Sequence, residues 1–147
     1  MDRLDDAERR RAQFGKKLNF LNTDQRDGML YPKVFKNAWD DIIAAVNRHN
    51  DPGKFTTFTA YEYTSSLAKF ENPHRNVILK GDSTPELPFI RLDSLNPEDL
   101  WHWMDDEREQ GYESMAIPHN SNGSYGEMFK QGTFNNNPLN RALRKCV

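Results

Sequence analysis

The sequence has few of the features that assign a chain to a class at first sight. Its 147 residues include a single cysteine, Cys146, which excludes an internal disulfide framework and a cysteine-rich zinc site. It contains no run of about 18 apolar residues, so we expect no membrane-spanning helix. The segment 1–17 is charged throughout and lacks the apolar core of a signal peptide.

The chain also lacks a strong excess of either charge. The formal net charge is −2, which gives no reason to expect binding to nucleic acid or to a membrane surface. The run Arg9–Arg11 lies beside Asp5, Asp6 and Glu8, so it is interpreted as part of a solvated helix face. With 36% apolar and 29% charged residues, the chain fits a small domain or a piece of a larger one.

Three segments have the patterns of helices. The segment 2–18 has helical spacing of apolar residues, although it is highly charged. The segment 33–49 follows Pro32 and is stopped by the turn sequence 50–53. Its apolar stripe consists of Phe35, Ala38, Trp39, Ile42, Ile43 and Val46. A third helix is predicted from Asn96, a good capping residue followed by Pro97 and two acidic residues, to Gly111.

Three further segments predict strands: 55–63, which is rich in aromatic and β-branched residues, 76–80 and 112–117. Helices and strands that alternate at this spacing favour an α/β fold with parallel strands. Sites in such folds form beyond the carboxyl ends of the strands. Glu62 and His119 lie at two such ends, so they are the first candidates for a site.

A metal site is one interpretation of Glu62, His74 and His119, because carboxylate and imidazole suit zinc, manganese or iron. The ordinary alternatives are a solvent-facing carboxylate, a loop histidine and an imidazole behind a proline turn. Arg75 suits a bidentate contact to an anionic substrate, or an ion pair with Glu62 or Glu71. Asn120 suits a substrate contact or a turn cap.

Four motifs carry a resemblance to a known family: FTTFTAYEYT at 55–64, HRNVI at 74–78, LWHWMDD at 100–106 and AIPHNSN at 116–122. Together they resemble a bacterial family catalogued as a domain of unknown function and grouped with the PHP-type (polymerase and histidinol phosphatase) metal-dependent hydrolases. The resemblance covers about residues 35–139. On this resemblance we interpret the whole chain, 1–147, as one partial domain.

The resemblance implies a distorted (β/α)-type barrel, of which this chain would form part. It implies a cluster of divalent metals (Mn, Zn or Fe) and hydrolysis of small phosphate or sulfate esters by a metal-bound hydroxide. Glu62 resembles the bridging carboxylate of that cluster, and His74 and His119 resemble two of its histidine ligands. Arg75 and Asn120 stand next to ligands and are expected to contact substrate.

The chain departs from the family pattern at both ends of the motif series. The family's first metal motif, His-x-His, is absent, as are a later Asp-His pair and a closing Asp-x-His motif. The histidines of the chain are His49, His74, His102 and His119. We therefore expect a fragment that is inactive alone, with the missing parts of a split domain as possible partners. The alternative is a non-catalytic structural or interaction domain with contact surfaces around Trp39 and Trp101.

Overall fold

The computed structural model describes residues 32–65, 72–130 and 132–133. The elements in this part of the chain are, in order, α1 (Pro32–His49), β1 (Ala60–Tyr63), β2 (Arg75–Leu79), α2 (Pro97–Glu109) and β3 (Ser114–Pro118). Two short 3-10 segments follow, Ser121–Gly123 and Glu127–Phe129. The helix predicted at 2–18 lies outside the described residues. Neither α1 nor α2 is long and apolar enough to cross a membrane.

The predictions of α1 and α2 are confirmed. They could be made from the sequence because local signals set the ends of these helices. The side-chain oxygen of Asn96 accepts a hydrogen bond from the backbone N–H of Glu98 at 3.1 Å, which caps the first turn of α2. Glu98 and Asp99 then place negative charge where the helix dipole is positive. Gly111 follows α2 with a φ of 92°, a conformation that glycine adopts without strain.

The three strands form one antiparallel sheet in the order β1-β2-β3. Tyr63 of β1 pairs with Arg75 of β2, and Arg75 pairs with Pro118 of β3. The predicted partial (β/α) barrel with parallel strands is therefore wrong. The predicted strand at 55–63 is also shorter, because it begins only at Ala60, and Phe55 instead closes a turn by its bridge to Asp51.

Strand direction follows from where each connection starts and ends. The chain leaves β2 at Leu79 and enters β3 at Ser114, and these two residues pair with each other. The connection between them contains α2, but it returns to the end of the sheet that it left. A parallel pair requires a connection that crosses to the opposite end. The alternation of helix and strand predicted the elements correctly but contained no information about this return.

One face of the sheet, the core face, packs against α2. Tyr63, Val77 and Phe89 form a buried cluster with the apolar side of α2, which consists of Leu100, Trp101, Trp103 and Met104. The rings of Phe89 and Trp103 stack with centroids 6.0 Å apart. Trp39 of α1 is also buried, and its indole Nε1 donates to the carbonyl oxygen of Pro85 at 3.1 Å. The two tryptophans predicted to form contact surfaces, Trp39 and Trp101, are thus core residues.

The opposite face, here called the open face, carries Ala60 and Glu62 of β1, Asn76 and Ile78 of β2, and Met115 and Ile117 of β3. Most of these residues are apolar, although an antiparallel sheet with one solvated face usually shows polar residues there. Met115 and Ile117 are 58% and 42% exposed.

Tyr63 joins the core to the loop before α2. Its hydroxyl donates to the carbonyl oxygen of Ser94 at 2.8 Å, and its ring is fully buried. Burial raises the pKa of both Tyr61 and Tyr63 far above the ordinary range, because the phenolate would be charged in an apolar environment. The folded protein therefore holds both phenols neutral.

This burial predicts a loss of stability at alkaline pH. Below pH about 10 both tyrosines are protonated in the folded and in the unfolded chain, so the raised pKa values cost no stability there. Above that pH the unfolded chain releases protons that the folded chain keeps. Each of the two phenols then lowers the free energy of unfolding by about 1.4 kcal/mol per pH unit.

Tyr63→Phe tests this by denaturant unfolding between pH 8 and about 11.5. The variant loses one hydrogen bond, about 1 kcal/mol, at neutral pH. Its free energy of unfolding should nevertheless fall less steeply with alkaline pH than that of the wild type. Tyr125→Phe, which removes an exposed phenol, is the matched control. An unchanged slope in Tyr63→Phe would contradict the assignment.

Candidate functional site

Glu62, His74 and His119 meet at one end of the open face. Glu62 of β1 pairs with Asn76 of β2. His74 lies two residues before Asn76, just ahead of β2. The backbone N–H of His119 donates to the carbonyl oxygen of His74 at 2.8 Å, which extends the β2–β3 ladder by one pair. Because side chains alternate along a strand, all three project from the same face.

The carboxylate of Glu62 lies between the two imidazoles. Its Oε1 is 2.6 Å from Nδ1 of His74, a short hydrogen bond, and its Oε2 is 3.9 Å from Nε2 of His119. The second distance is too long for a hydrogen bond but allows an ion pair when His119 is protonated. The cluster is therefore one tight pair with a third side chain close to it.

The tight pair fixes the tautomer of His74. An ionised carboxylate only accepts hydrogen bonds, so Nδ1 of His74 carries the hydrogen. In the neutral imidazole Nε2 then presents a lone pair, and this atom is buried without a hydrogen-bond partner among the described residues. The imidazole as a whole is only 13% exposed. A buried polar atom without a partner is costly, so it marks a place where a ligand or ion would be stabilised.

The same arrangement recurs in metal proteins, where a metal-binding histidine donates its other ring N–H to a carboxylate. The donor types present here suit zinc, manganese or iron. Within residues 32–65, 72–130 and 132–133, however, no three His, Cys, Asp or Glu side chains are grouped so that they could hold a metal ion. The assignment of Glu62, His74 and His119 as ligands of one metal cluster stays a prediction.

Arg75 projects from the core face and therefore away from Glu62. Its guanidinium carbon is 5.5 Å from the centre of the Trp101 ring, and one of its nitrogens donates to the carbonyl oxygen of Met128 at 3.4 Å. The side chain is 2% exposed. The proposed ion pair with Glu62 is not formed, and a substrate contact by Arg75 stays a prediction. Residues two apart in a strand face the same side, so Arg75 lies on the same side as Val77. The apolar Val77 was therefore the signal in the sequence that Arg75 lies on the core side.

Asn120 lies next to His119 at the start of the first 3-10 segment. Its backbone is left-handed, with φ 60° and ψ 37°, a conformation that asparagine tolerates better than most residues. Its side chain is exposed and makes no capping hydrogen bond. Asn120 is thus near the carboxylate–histidine cluster, and its role as a substrate contact stays a prediction.

A second concave surface was missed by the sequence analysis. A cavity of about 220 Å³ is lined by Phe89, Asp93, Ser94, Asp99, His102, Trp103 and Asp106. Two of its carboxylates have structural partners: Asp93 accepts from the backbone N–H of Ile90 at 2.8 Å, and Asp99 accepts from Ser94 Oγ at 2.5 Å. These bonds fix the loop before α2. The cavity therefore follows from the way this loop meets the helix.

Comparison with protein families gives one match. The family model described as "Protein of unknown function (DUF3604)" matches residues 4–145, which is wider than the range 35–139 over which the motifs carry the resemblance. The expected domain of unknown function is thus confirmed. Comparisons with curated proteins and with solved structures gave no match.

The geometry predicts the tautomer of His74. In the wild type, ¹⁵N NMR at a pH where the imidazole is neutral should show a protonated Nδ1 and an unprotonated Nε2. Glu62→Ala removes the acceptor, so the population of this tautomer should fall. Glu113→Ala, at the other end of the sheet, is the control and should leave it unchanged. A wild-type His74 with the hydrogen on Nε2 would contradict the hydrogen bond to Glu62.

Proposed function

The chain belongs to the DUF3604 family of unknown function, and we propose that it supplies part of the active site of a metal-dependent ester hydrolase of PHP type. The substrates would be small anionic esters of phosphate or sulfate. The proposal goes beyond the family match, which names no activity. It depends on the side chains at the end of the open face.

One observation carries the proposal: the Glu62–His74 hydrogen bond leaves the buried Nε2 of His74 with a lone pair and no partner in the described part of the chain. A histidine that binds a metal ion commonly has this arrangement, with its other ring N–H donated to a carboxylate. His119 supplies a second imidazole near the cluster, with its Nε2 3.9 Å from Oε2 of Glu62.

Each residue has a separate task in this proposal. Glu62 accepts the Nδ1 hydrogen of His74 and so orients the ring, and its negative charge raises the affinity of Nε2 for a cation. His74 and His119 would hold a divalent cation such as Mn, Zn or Fe. The cation, when bound, supplies a Lewis acid beside the ester. In the described geometry Glu62 orients a ligand, and direct binding by Glu62 stays a prediction.

The site needs more donors than these three side chains. Catalytic metal sites usually have three protein ligands around one ion and an open position for water or substrate. Here Glu62 is engaged with His74, so two imidazole nitrogens are left for the ion. We therefore propose that polypeptide outside this chain completes the site, and that the isolated chain does not turn over substrate.

The other candidate was a non-catalytic interaction domain that binds partners around Trp39 and Trp101. Both indoles are buried, so neither side chain offers a contact surface in the described structure. A partner that binds elsewhere on the chain would be a different hypothesis.

Metal titration tests the proposed ligands. Isothermal titration calorimetry with Zn²⁺ or Mn²⁺ should show one site of modest affinity in the wild type. Glu62→Ala should weaken binding about 10- to 100-fold, as loss of an orienting carboxylate does. His74→Ala and His119→Ala should each weaken it further than Glu62→Ala, to an affinity that is still measurable. His102→Ala, on the exposed side of α2, is the control. Equal affinity in all four variants would refute the ligand assignment.

Activity assays test the second part of the proposal. With either metal present, the purified chain should not hydrolyse 4-nitrophenyl phosphate or 4-nitrophenyl sulfate above the rate of a sample without protein. Metal-dependent turnover that His74→Ala removes would show that the chain completes the site by itself. It would contradict the proposed incompleteness while supporting the hydrolase assignment.

A further inference from the structure

The carboxylate–histidine cluster and the apolar part of the open face form one continuous surface. Glu62, Asn76 and Ile117 form one row across the three strands, and Ala60, Ile78 and Met115 form the next row. Neighbouring strands lie about 4.8 Å apart, and two residues along a strand span about 7 Å. Ile117 is the apolar member of the first row, and the second row is apolar across its width of about 10 Å. These four residues, Ala60, Ile78, Met115 and Ile117, form an apolar strip that begins beside the cluster.

The strip has the character of a binding surface. Met115 and Ile117 are exposed, and Phe58, just before β1, is 59% exposed. Scattered exposed apolar residues need no explanation, but a contiguous group next to a polar cluster often marks a ligand groove. No Lys, Arg, Asp or Glu other than Glu62 lies in the two rows.

We propose that this strip binds the organic group of the ester whose anionic head lies at Glu62, His74 and His119. The substrate class is then amphiphilic: a phosphate or sulfate monoester with a linear alkyl group of about six carbons, or an aromatic group of similar length. This inference rests on the proposed function and names its substrate. The head meets the cluster, and the alkyl group lies along the strip from Ile117 toward Ile78 and Met115.

The size of the effect follows from the area covered. A fully buried methylene tightens binding about fourfold, and a flat surface covers about half of it, which leaves about twofold per methylene. Hexylphosphonate has five methylenes more than methylphosphonate. Its dissociation constant should therefore be about thirtyfold lower, provided that the strip accepts the whole chain.

The test uses methyl-, butyl- and hexylphosphonate, which carry the head group but have no ester bond to cleave. Each is titrated by NMR into the full chain with Mn²⁺ replaced by diamagnetic Zn²⁺, and dissociation constants are taken from methyl shifts. Ile117→Thr removes an apolar contact and keeps a β-branched side chain. Ile42→Thr on α1 is the matched control, because Ile42 and Ile117 are both 42% exposed. Met115→Thr is a second strip variant, should Ile117→Thr fail to fold.

The expected result is affinity that rises with alkyl length in the wild type and in Ile42→Thr, with a flatter dependence in Ile117→Thr. Equal affinity for all three phosphonates, abolished by His74→Ala, would overturn the apolar subsite and leave the proposed function standing. No binding of any phosphonate by the Zn²⁺-bound chain would overturn the apolar subsite, and a chain that binds no Zn²⁺ would overturn the proposed function as well. The same length dependence in both isoleucine variants would show that the alkyl group binds elsewhere. A wild-type dimer that Ile117→Thr dissociates would assign the strip to a second copy and overturn the substrate assignment.

Discussion

The pairing of β1 and β3 in opposite direction to β2 is the constraint on which the rest of the structure depends. It places the ends of β1 and β3 beside the start of β2, through the pairs Tyr63–Arg75 and Arg75–Pro118. Glu62, near the end of β1, therefore meets His74, just before β2, and His119, just after β3. If β2 ran in the opposite direction, His74 would lie at the far end of the sheet.

The same pairing separates two kinds of residue by alternation alone. Tyr63, Val77 and Leu79 face α2 and exclude water, while Glu62, Asn76 and Ile117 face outward. The core face needs the apolar side of α2 to cover it, and Trp101 of α2 also lies beside the guanidinium of Arg75. Packing on one face thus holds in place the backbone that presents the cluster on the other face.

How far the sequence predicts this arrangement depends on whether a signal is local. Asn96, Pro97 and Gly111 fix α2 through their own backbone preferences, so its range could be predicted. Strand direction depends on contacts such as Leu79 with Ser114, which are distant in sequence, and the element order did not encode them. The candidates Glu62 and His119 were chosen as residues at strand ends of a parallel sheet. The antiparallel sheet brings them together because β1 and β3 run in the same direction.

A double-mutant cycle on Glu62 and His74, read out as Zn²⁺ affinity by calorimetry, tests the central claim most directly. The claim is that Glu62 acts on the metal through the His74 ring. If so, Glu62→Ala weakens binding in the wild-type background and has no further effect once His74 is Ala. Independent, additive losses from the two substitutions would contradict it.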